Sequence, residues 1–309
     1  MKKTILLINL LLNTYLCAGE FEDNQKACEQ KESYACYNLA LHYSSDEAGQ
    51  KDMNKTMDFF DKSCTFGDID ACKASAKIYL NGLYGITLNK KKSINFYEKA
   101  CELKDSASCM LLAYVYDAQS KGKSLKKFKE IEKNNNKAVS FYKKACLYDK
   151  ENNGRLCTGL GSRLEDGDGF KKDLDQAFEL YTIGCKKGNA SACSLLAFSY
   201  EEGMVGIKDL QKASKYHEIA CEGNAYNSCT ALGHMYLQGN GVKQDKQKAV
   251  TLHEKSCQGG IGFSCMTLGV MFFNGNGIKK DKDQAIKFFK QACDMGNVNG
   301  CNKYKALIK

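Results

Sequence analysis

Large apolar, small and aromatic residues recur along this chain of 309 residues at fixed distances from cysteine. In the segment Ser228–Gly260, Leu232, Gly233 and Tyr236 follow Cys229 at +3, +4 and +7, one stripe of a helix. The +3 position repeats as Leu39, Leu112, Leu160, Leu196 and Leu268, with Ser75 the exception. The +4 position holds Ala40, Ala76, Ala113, Gly161, Ala197 and Gly269. The +7 position holds Tyr43, Tyr79, Tyr116, Tyr200 and Phe272, with Leu164 in one odd copy. A large, a small and an aromatic residue on one face predict a helix, A, packed closely against a neighbour.

Glycine-rich loops follow, as in Gly239-Asn240-Gly241-Val242, Gly167-Asp168-Gly169-Phe170 and Gly275-Asn276-Gly277-Ile278. Glycine permits the positive φ angles of such reversals, and the chain has no proline to share that work. A second helix, B, is predicted next, from Gln247 to Cys257 in this unit. Eight residues before its cysteine stands a small residue: Ala138, Ala177, Ala213, Ala249 or Ala285. Five before stands a large one: Phe59, Phe96, Phe141, Leu180, Tyr216, Leu252 or Phe288. Those two positions share a face.

Sixteen of the 17 cysteines fall into eight pairs. Cys28/Cys36, Cys64/Cys72, Cys101/Cys109, Cys185/Cys193, Cys221/Cys229, Cys257/Cys265 and Cys293/Cys301 are each C-x7-C, and Cys146/Cys157 is three residues longer. First cysteines step by 36, 37, 45, 39, 36, 36 and 36 residues, the period of a repeat architecture. On one continuous helix, residues eight apart stand roughly 12 Å apart. A disulfide needs Cα atoms closer than about 7 Å, so a bonded pair requires the chain to reverse between its cysteines. Gly67, Gly188, Gly260 and Gly296 lie three residues after the first cysteine, and Asn224 takes the same slot. That is where a helix-ending residue belongs. Helix B therefore ends at the first cysteine and the next helix A begins at the second, with eight local disulfides pinning the reversals. A nine-residue loop closed this way contributes about 2.5 kcal/mol in the chain-entropy picture. Structural zinc sites bring ligands two to four residues apart in two clusters, which these pairs do not do.

Residues 1–19 read as a secretory signal. Lys2 and Lys3 start it, Ile5–Leu12 is its apolar stretch, and Cys17-Ala18-Gly19 suits cleavage after Ala18 or Gly19. The apolar run is well short of the roughly 20 residues of a membrane span. A lipidated Cys17 is the alternative, against which Thr14-Tyr15-Leu16 is a poor lipobox. Export, to the periplasm or the outside, makes disulfides the default state of the remaining cysteines. The formal charge of +9 is spread as Lys-Lys and Lys-Asp pairs through the loops, a solvated surface rather than a nucleic-acid footprint. Residues 20–309 are expected to form a single all-α solenoid. It begins in a truncated helix B up to Cys28, runs through about seven A–loop–B units, and ends in a short helix A from Cys301 carrying Lys303, Lys305 and Lys309. An insertion near 119–136, rich in Lys and Asn, accounts for most of the step of 45.

The pattern L-[AG]-x-x-[YF]-x-x-G-x-G-[VI]-x-x-D-x-x-[KQ]-A is seen from Leu232 to Ala249 and from Leu268 to Ala285, within the segments that begin at Thr230 and Met266. It resembles the Sel-one-like repeat family, which is TPR-like. With a C-x7-C pair in nearly every repeat and a signal-like start, the chain looks most like the Helicobacter cysteine-rich proteins. The resemblance implies a right-handed α/α superhelix of disulfide-bridged helix hairpins. It also implies penicillin binding or slow β-lactam hydrolysis, a ligand such as a β-lactam or a peptidoglycan-like small molecule, and a link to host immune recognition.

The residues themselves carry little chemistry. Ser120-x-x-Lys123, Ser124-x-x-Lys127 and Ser140-x-x-Lys143 match the S-x-x-K box of serine β-lactamases, but no S-D-N or K-T-G accompanies them. His217 and His253 share the slot four before a cysteine, which elsewhere holds Tyr97, Tyr142, Tyr181, Phe60 or Phe289, a packing position. His42 and His234 lie in different repeats with no ligating spacing, and Asp166-Gly167-Asp168-Gly169 lacks the rest of a calcium loop. No metal or cofactor is expected, and the sequence identifies no catalytic residue.

The face of helix A opposite the stripe is the candidate site. At +5 stand Leu41, Lys77, Tyr114, Ser162, Phe198, His234 and Val270; at +1 stand Tyr37, Lys73, Met110, Thr158, Ser194, Thr230 and Met266. These vary from repeat to repeat, and several are apolar where solvent alone would not require it. They are expected to point away from the core and to line a concave groove for a protein or peptide, including a host protein, with packing against the neighbouring turn as the alternative. The protein is expected to act as a secreted, monomeric scaffold that neither spans a membrane nor binds nucleic acid.

Overall fold

The computed structural model describes residues 20–45, 51–120, 124–204, 206 and 208–308. The signal-like residues 1–19, Lys121, Gly122 and Lys123 of the Lys-rich insertion, and Lys309 lie outside these. Every helix or strand assigned among the described residues is a helix. The chain forms two compact units, Met1–Tyr148 and Asp149–Lys309.

The first unit opens with helix α1, residues 20–29. Three hairpins follow: α2 (Ser33–Ser44) with α3 (Met53–Thr65), α4 (Ile69–Asn81) with α5 (Lys90–Glu102), and α6 (Ser106–Tyr116) with α7 (Asn135–Tyr148). The second unit holds four hairpins and a final helix. These are α8 (Arg155–Asp166) with α9 (Leu174–Lys186), α10 (Ala190–Glu202) with α11 (Leu210–Glu222), α12 (Tyr226–Gln238) with α13 (Lys246–Gln258), α14 (Gly262–Asn274) with α15 (Lys282–Asp294), and then α16 (Val298–Leu307). Within each unit a helix packs on the next one in the chain.

The distal loop of all seven hairpins closes on one repeated hydrogen bond. The backbone N–H of the residue before helix B donates to the carbonyl of the +7 residue of helix A: Asp52 to Tyr43, Asn89 to Tyr79, Asn134 to Tyr116, Asp173 to Leu164, Asp209 to Tyr200, Asp245 to Tyr236 and Asp281 to Phe272, all at 2.8–3.0 Å. The side chains of those same Asp and Asn residues then accept amide protons of the first helical turn, satisfying donors that a helix start leaves bare. The inserted segment before α7 obeys the same closure through Asn134. It is not wholly solvated, because it carries a 3-10 turn, Ser124–Phe128, whose Phe128 is buried.

Inside each hairpin the +7 ring meets the ring five before the cysteine. Tyr43–Phe59, Tyr79–Phe96, Tyr116–Phe141, Tyr200–Tyr216 and Phe272–Phe288 stack with centroids 5.4–5.8 Å apart and planes within 16° of parallel. A lysine from the first turn of helix B covers the outer face in several copies, as Lys55 does over Tyr43 and Lys212 over Tyr200. The +3 leucines are buried, as is the +4 small residue against the opposing helix B.

All sixteen cysteines from Cys28 to Cys301 are disulfide-bonded, Cys146 and Cys157 of the stretched reversal among them. The seven C-x7-C pairs, Cys28–Cys36, Cys64–Cys72, Cys101–Cys109, Cys185–Cys193, Cys221–Cys229, Cys257–Cys265 and Cys293–Cys301, bridge Cα atoms 4.3–4.8 Å apart.

The reversals are shorter than the sequence reading has them, and the second cysteine does not open its helix. Helix B runs past its cysteine, by one residue in most copies and by two after Cys146. Helix A starts ahead of its own, at Ser33 for Cys36, Ile69 for Cys72, Ser106 for Cys109, Arg155 for Cys157 and Ala190 for Cys193. Cys36, Cys109 and Cys157, expected at the first position of a helix, therefore lie within α2, α6 and α8, and all three are fully buried. Helical hydrogen bonding explains this correction. The Cys36 amide already donates to the Glu32 carbonyl at 3.3 Å and the Cys109 amide to that of Asp105 at 3.1 Å. Around Cys157 the Thr158 amide donates to the Gly154 carbonyl at 3.1 Å. In several copies a capping side chain fixes the early start: Asp68, Asp105, Asn189 and Asn297 accept an amide proton of the first turn of helix A at 2.8–2.9 Å. The bridges at Cys36, Cys109 and Cys157 thus belong to the packed interior rather than to the loop. Gly67, Gly188, Gly260 and Gly296 take positive φ in the reversal, and Lys31, Lys104 and Asn224 do the same in the equivalent slot.

Candidate functional site

The two rows of helix A residues proposed from sequence have different surroundings. Each +1 residue is only half-exposed rather than clear of the core. Tyr37 rests on Phe60 with ring centroids 5.5 Å apart. Met266 packs against the buried cluster of Val250, Cys265, Leu268 and Met271. Lys73 pairs with Asp70 and Asp105, and Met110 is half-buried on α6. Thr230 Oγ1 lies 2.7 Å from both Ser256 Oγ and Ser264 Oγ, joining three helices through hydroxyls.

The +5 row supplies the open surface. In the first unit Leu41 is 45% exposed and Tyr114 40% exposed, with Lys77 between them in the row. In the second unit Phe198 is 48% exposed, while Ser162, His234 and Val270 are half-buried. Helix A puts +5 one position beyond the small +4 residue and so at the edge of the hairpin contact. This is why a ring there keeps one face in solvent. Phe263, two before Cys265, is 47% exposed and stands 5.5 Å from the His234 ring, extending the same surface. Sequence reasoning passed it over, although this slot holds Asp70, Ala107, Ser191 and Asn227 in other copies and an aromatic in only one other, Tyr34.

His234 in turn stands over His253, ring centroids 4.9 Å apart. His253 is fully buried, and burial, with His234 beside it, pushes its pKa down to about 4. Burial lowers that of His234 as well. His217, in the same slot one hairpin earlier, has Glu201 Oε2 at 3.3 Å from its Nε2.

Ser120 Oγ lies 3.1 Å from Asp117 Oδ2 and 3.4 Å from the Tyr142 hydroxyl, part of the turn that ends α6. Ser140 is exposed on α7, and the Ser124 side chain lies outside what is described. Among the described residues no group of three or more His, Cys, Asp or Glu is placed to hold a metal, and no helix is long and apolar enough to cross a membrane.

Repeated hairpins, local bridges and a variable edge define a disulfide-stapled helical-repeat protein. The chain belongs to the Sel1 repeat family, which matches residues 33–67, 69–105, 106–147, 156–189, 190–224, 227–261 and 263–297, one match for each hairpin. Among solved structures it is similar to c5321, a protective antigen of uropathogenic Escherichia coli with an SLR fold, at 21% identity and TM-score 0.57 over 93% of this chain and 59% of that one. A Sel1 repeat protein from Oxalobacter formigenes gives 17% identity and TM-score 0.52 over 93% and 89%. Helicobacter pylori cysteine rich protein B is 32% identical over 44% of this chain and 98% of its own, with TM-score 0.34. Cytochrome c oxidase assembly factor 7A of Xenopus laevis is 34% identical over 68 residues; the chain spans 29% of that protein.

Proposed function

We propose that this protein is a binding scaffold, exported to an oxidising compartment, that takes a protein or peptide on the +5 edge of its A helices. The observation that carries the reading is a contrast within single helices. Leu41, Tyr114 and Phe198 keep roughly half their surface in solvent, while the +3 and +4 residues beside them are almost fully buried. Apolar side chains held open on a rigid, bridged frame supply contact area at little entropic cost. Bonding of all sixteen cysteines fits the periplasm or the extracellular space. The family's use of repeats as protein-interaction surfaces supports the same reading, and host interaction and a monomeric state belong to the proposal.

The test is selection of displayed peptides on the oxidised protein, followed by titration of the winners against Phe198→Ala and Tyr114→Ala. Loss of affinity in either variant supports the reading; enriched peptides that bind both variants as well as the parent contradict it. The competing reading, β-lactam or peptidoglycan-like ligand binding with slow hydrolysis, rests on resemblance. A chromogenic cephalosporin assayed with Ser120→Ala, Ser124→Ala and Ser140→Ala separates the two. Turnover lost in a single variant would replace the pure scaffold with an enzyme.

A further inference from the structure

His253 is enclosed by α12, α13 and α14. Its Nδ1 lies 3.3 Å from Ser264 Oγ, the end of a hydroxyl chain that runs through Thr230 and Ser256 to the carbonyl of Tyr226. Its Nε2 is buried, without a hydrogen-bond partner, and abuts the backbone of Gly233, where even a Cβ would come within 2.8 Å. His234 Nε2 is likewise buried and unpartnered.

Among the described residues, the groups in contact with the pair are neutral. From α12 comes His234 itself; from α14 come the Ser264 hydroxyl and the Phe263 ring. On α13, Glu254 faces the groove toward α15 with Lys287 and Asp294, and the Lys255 ammonium is held by the Cys221 carbonyl. No carboxylate takes the part that Glu201 plays beside His217. With both ring nitrogens protonated, His253 would hold a charge whose Nε2–H has no acceptor, with another imidazole as its nearest titratable neighbour.

We propose that the His234–His253 pair is an acid-sensitive latch, whose protonation loosens the packing of α14 on the α12–α13 hairpin, to which the Cys257–Cys265 bridge still ties it, and rearranges the exposed surface made by His234 and Phe263. The effect of the latch on ligand capture rests on the binding role proposed above; the opening itself does not. The folded-state pKa of His253 lies below the ordinary histidine value, so the closed form binds fewer protons than the open one. The closed form is then fully favoured above pH 6.5 and loses ground as pH falls toward 4. At pH 5 the opening equilibrium rises by about 30-fold, from an open-state value of 6.5 and a closed-state value of about 4.

Hydrogen exchange on the oxidised full chain at pH 7.5 and pH 5.0, corrected for intrinsic rates, reads this directly. Protection in α12–α14 is expected to fall about 30-fold, on that same linkage, while the α10–α11 hairpin keeps its protection. His253→Phe is expected to abolish the fall, since Phe289 already fills this slot opposite Gly269. His217→Phe is expected to leave it unchanged. Equal protection of α12–α14 at the two pH values in the parent protein, or an undiminished fall in His253→Phe, would overturn the proposal. Titration of the His253 ring protons by NMR in the unmutated protein is independent of how the variants fold. A midpoint well below 6.5 supports the latch, and one at or above 6.5 refutes it. Loss of peptide binding without any change in exchange would bear on the binding role alone.

Discussion

A Cβ on Gly269 would stand 2.6 Å from the Phe289 ring, so helices α14 and α15 meet at a distance that only glycine allows. Gly161 against Tyr181 and Gly233 against His253 repeat the contact. Two effects oppose each other when such a glycine becomes alanine. Helix propensity gains about 1 kcal/mol, and overpacking costs about 1–3 kcal/mol. The clash is with the near edge of a buried ring that cannot swing away, so overpacking wins. Gly269→Ala is expected to lower stability by about 1 kcal/mol in chemical denaturation. Gly159→Ala is the control, an exposed helical glycine with nothing within 4 Å of its missing Cβ. It is expected to raise stability by up to about 1 kcal/mol. The same sign for both would show that propensity, not packing, governs the position.

The bridges differ in access. Fourteen of the sixteen cysteines, Cys28 through Cys265, are buried, whereas Cys293 and Cys301 are both half-exposed. Reductant should therefore reach the last bridge first, and the others only when their hairpins open. Brief treatment with dithiothreitol under native conditions, then alkylation and peptide mass analysis, is expected to label Cys293 and Cys301 ahead of the rest. Equal labelling of Cys221 and Cys229 would mean that burial does not protect the interior bridges. Replacing Cys221 and Cys229 together by alanine is expected to cost about 2–3 kcal/mol.

Asn189 begins α10 by accepting the amide proton of Ala192 at 2.9 Å. Asn189→Ala leaves the disulfide in place and removes that acceptor, with an expected loss of about 1 kcal/mol. Asn189→Asp should retain stability, since a carboxylate serves the same amide and suits a helix N-terminus. A melting temperature lowered by alanine and kept by aspartate would confirm that the cap, rather than the bridge alone, starts the helix. Equal loss in both variants would contradict it.

Much of the hairpin was legible because burial repeats. Leu at +3, Ala or Gly at +4 and an aromatic at +7 face one neighbour in nearly every copy, with Ser75 and Leu164 the exceptions, so one periodic signal recurs along the chain. The capping role was harder to see, although the Asp of the repeat pattern, Asp245 and Asp281, marks its place. Asp52, Asn89, Asn134, Asp173, Asp209, Asp245 and Asp281 all stand 12 before a cysteine, but a polar residue in a polar loop makes no contrast in a hydrophobic pattern. The placement of Cys36, Cys109 and Cys157 inside their helices was missed for the same reason, since the turn of helix ahead of each carries no apolar stripe of its own. Lys31 and Lys104 occupy a positive-φ slot without being glycine, so residue type alone hid them. The +1 row was hidden for the opposite reason. Tyr37 and Met266 vary as surface residues do, yet Tyr37 packs on Phe60 of its partner helix α3 and Met266 on α13 of the preceding hairpin, placements a single helical wheel does not contain.

The central claim is that function resides on the +5 edge and not in the buried frame. It is tested most directly by titrating one selected peptide against the parent protein, Phe198→Ala, and Phe198→Ala combined with Phe263→Ala, with thermal melting measured on the same samples. The account predicts an affinity loss of about tenfold or more for a truncated aromatic anchor, with melting temperatures close to the parent because both rings are roughly half in solvent. Unchanged affinity in the double variant would contradict it.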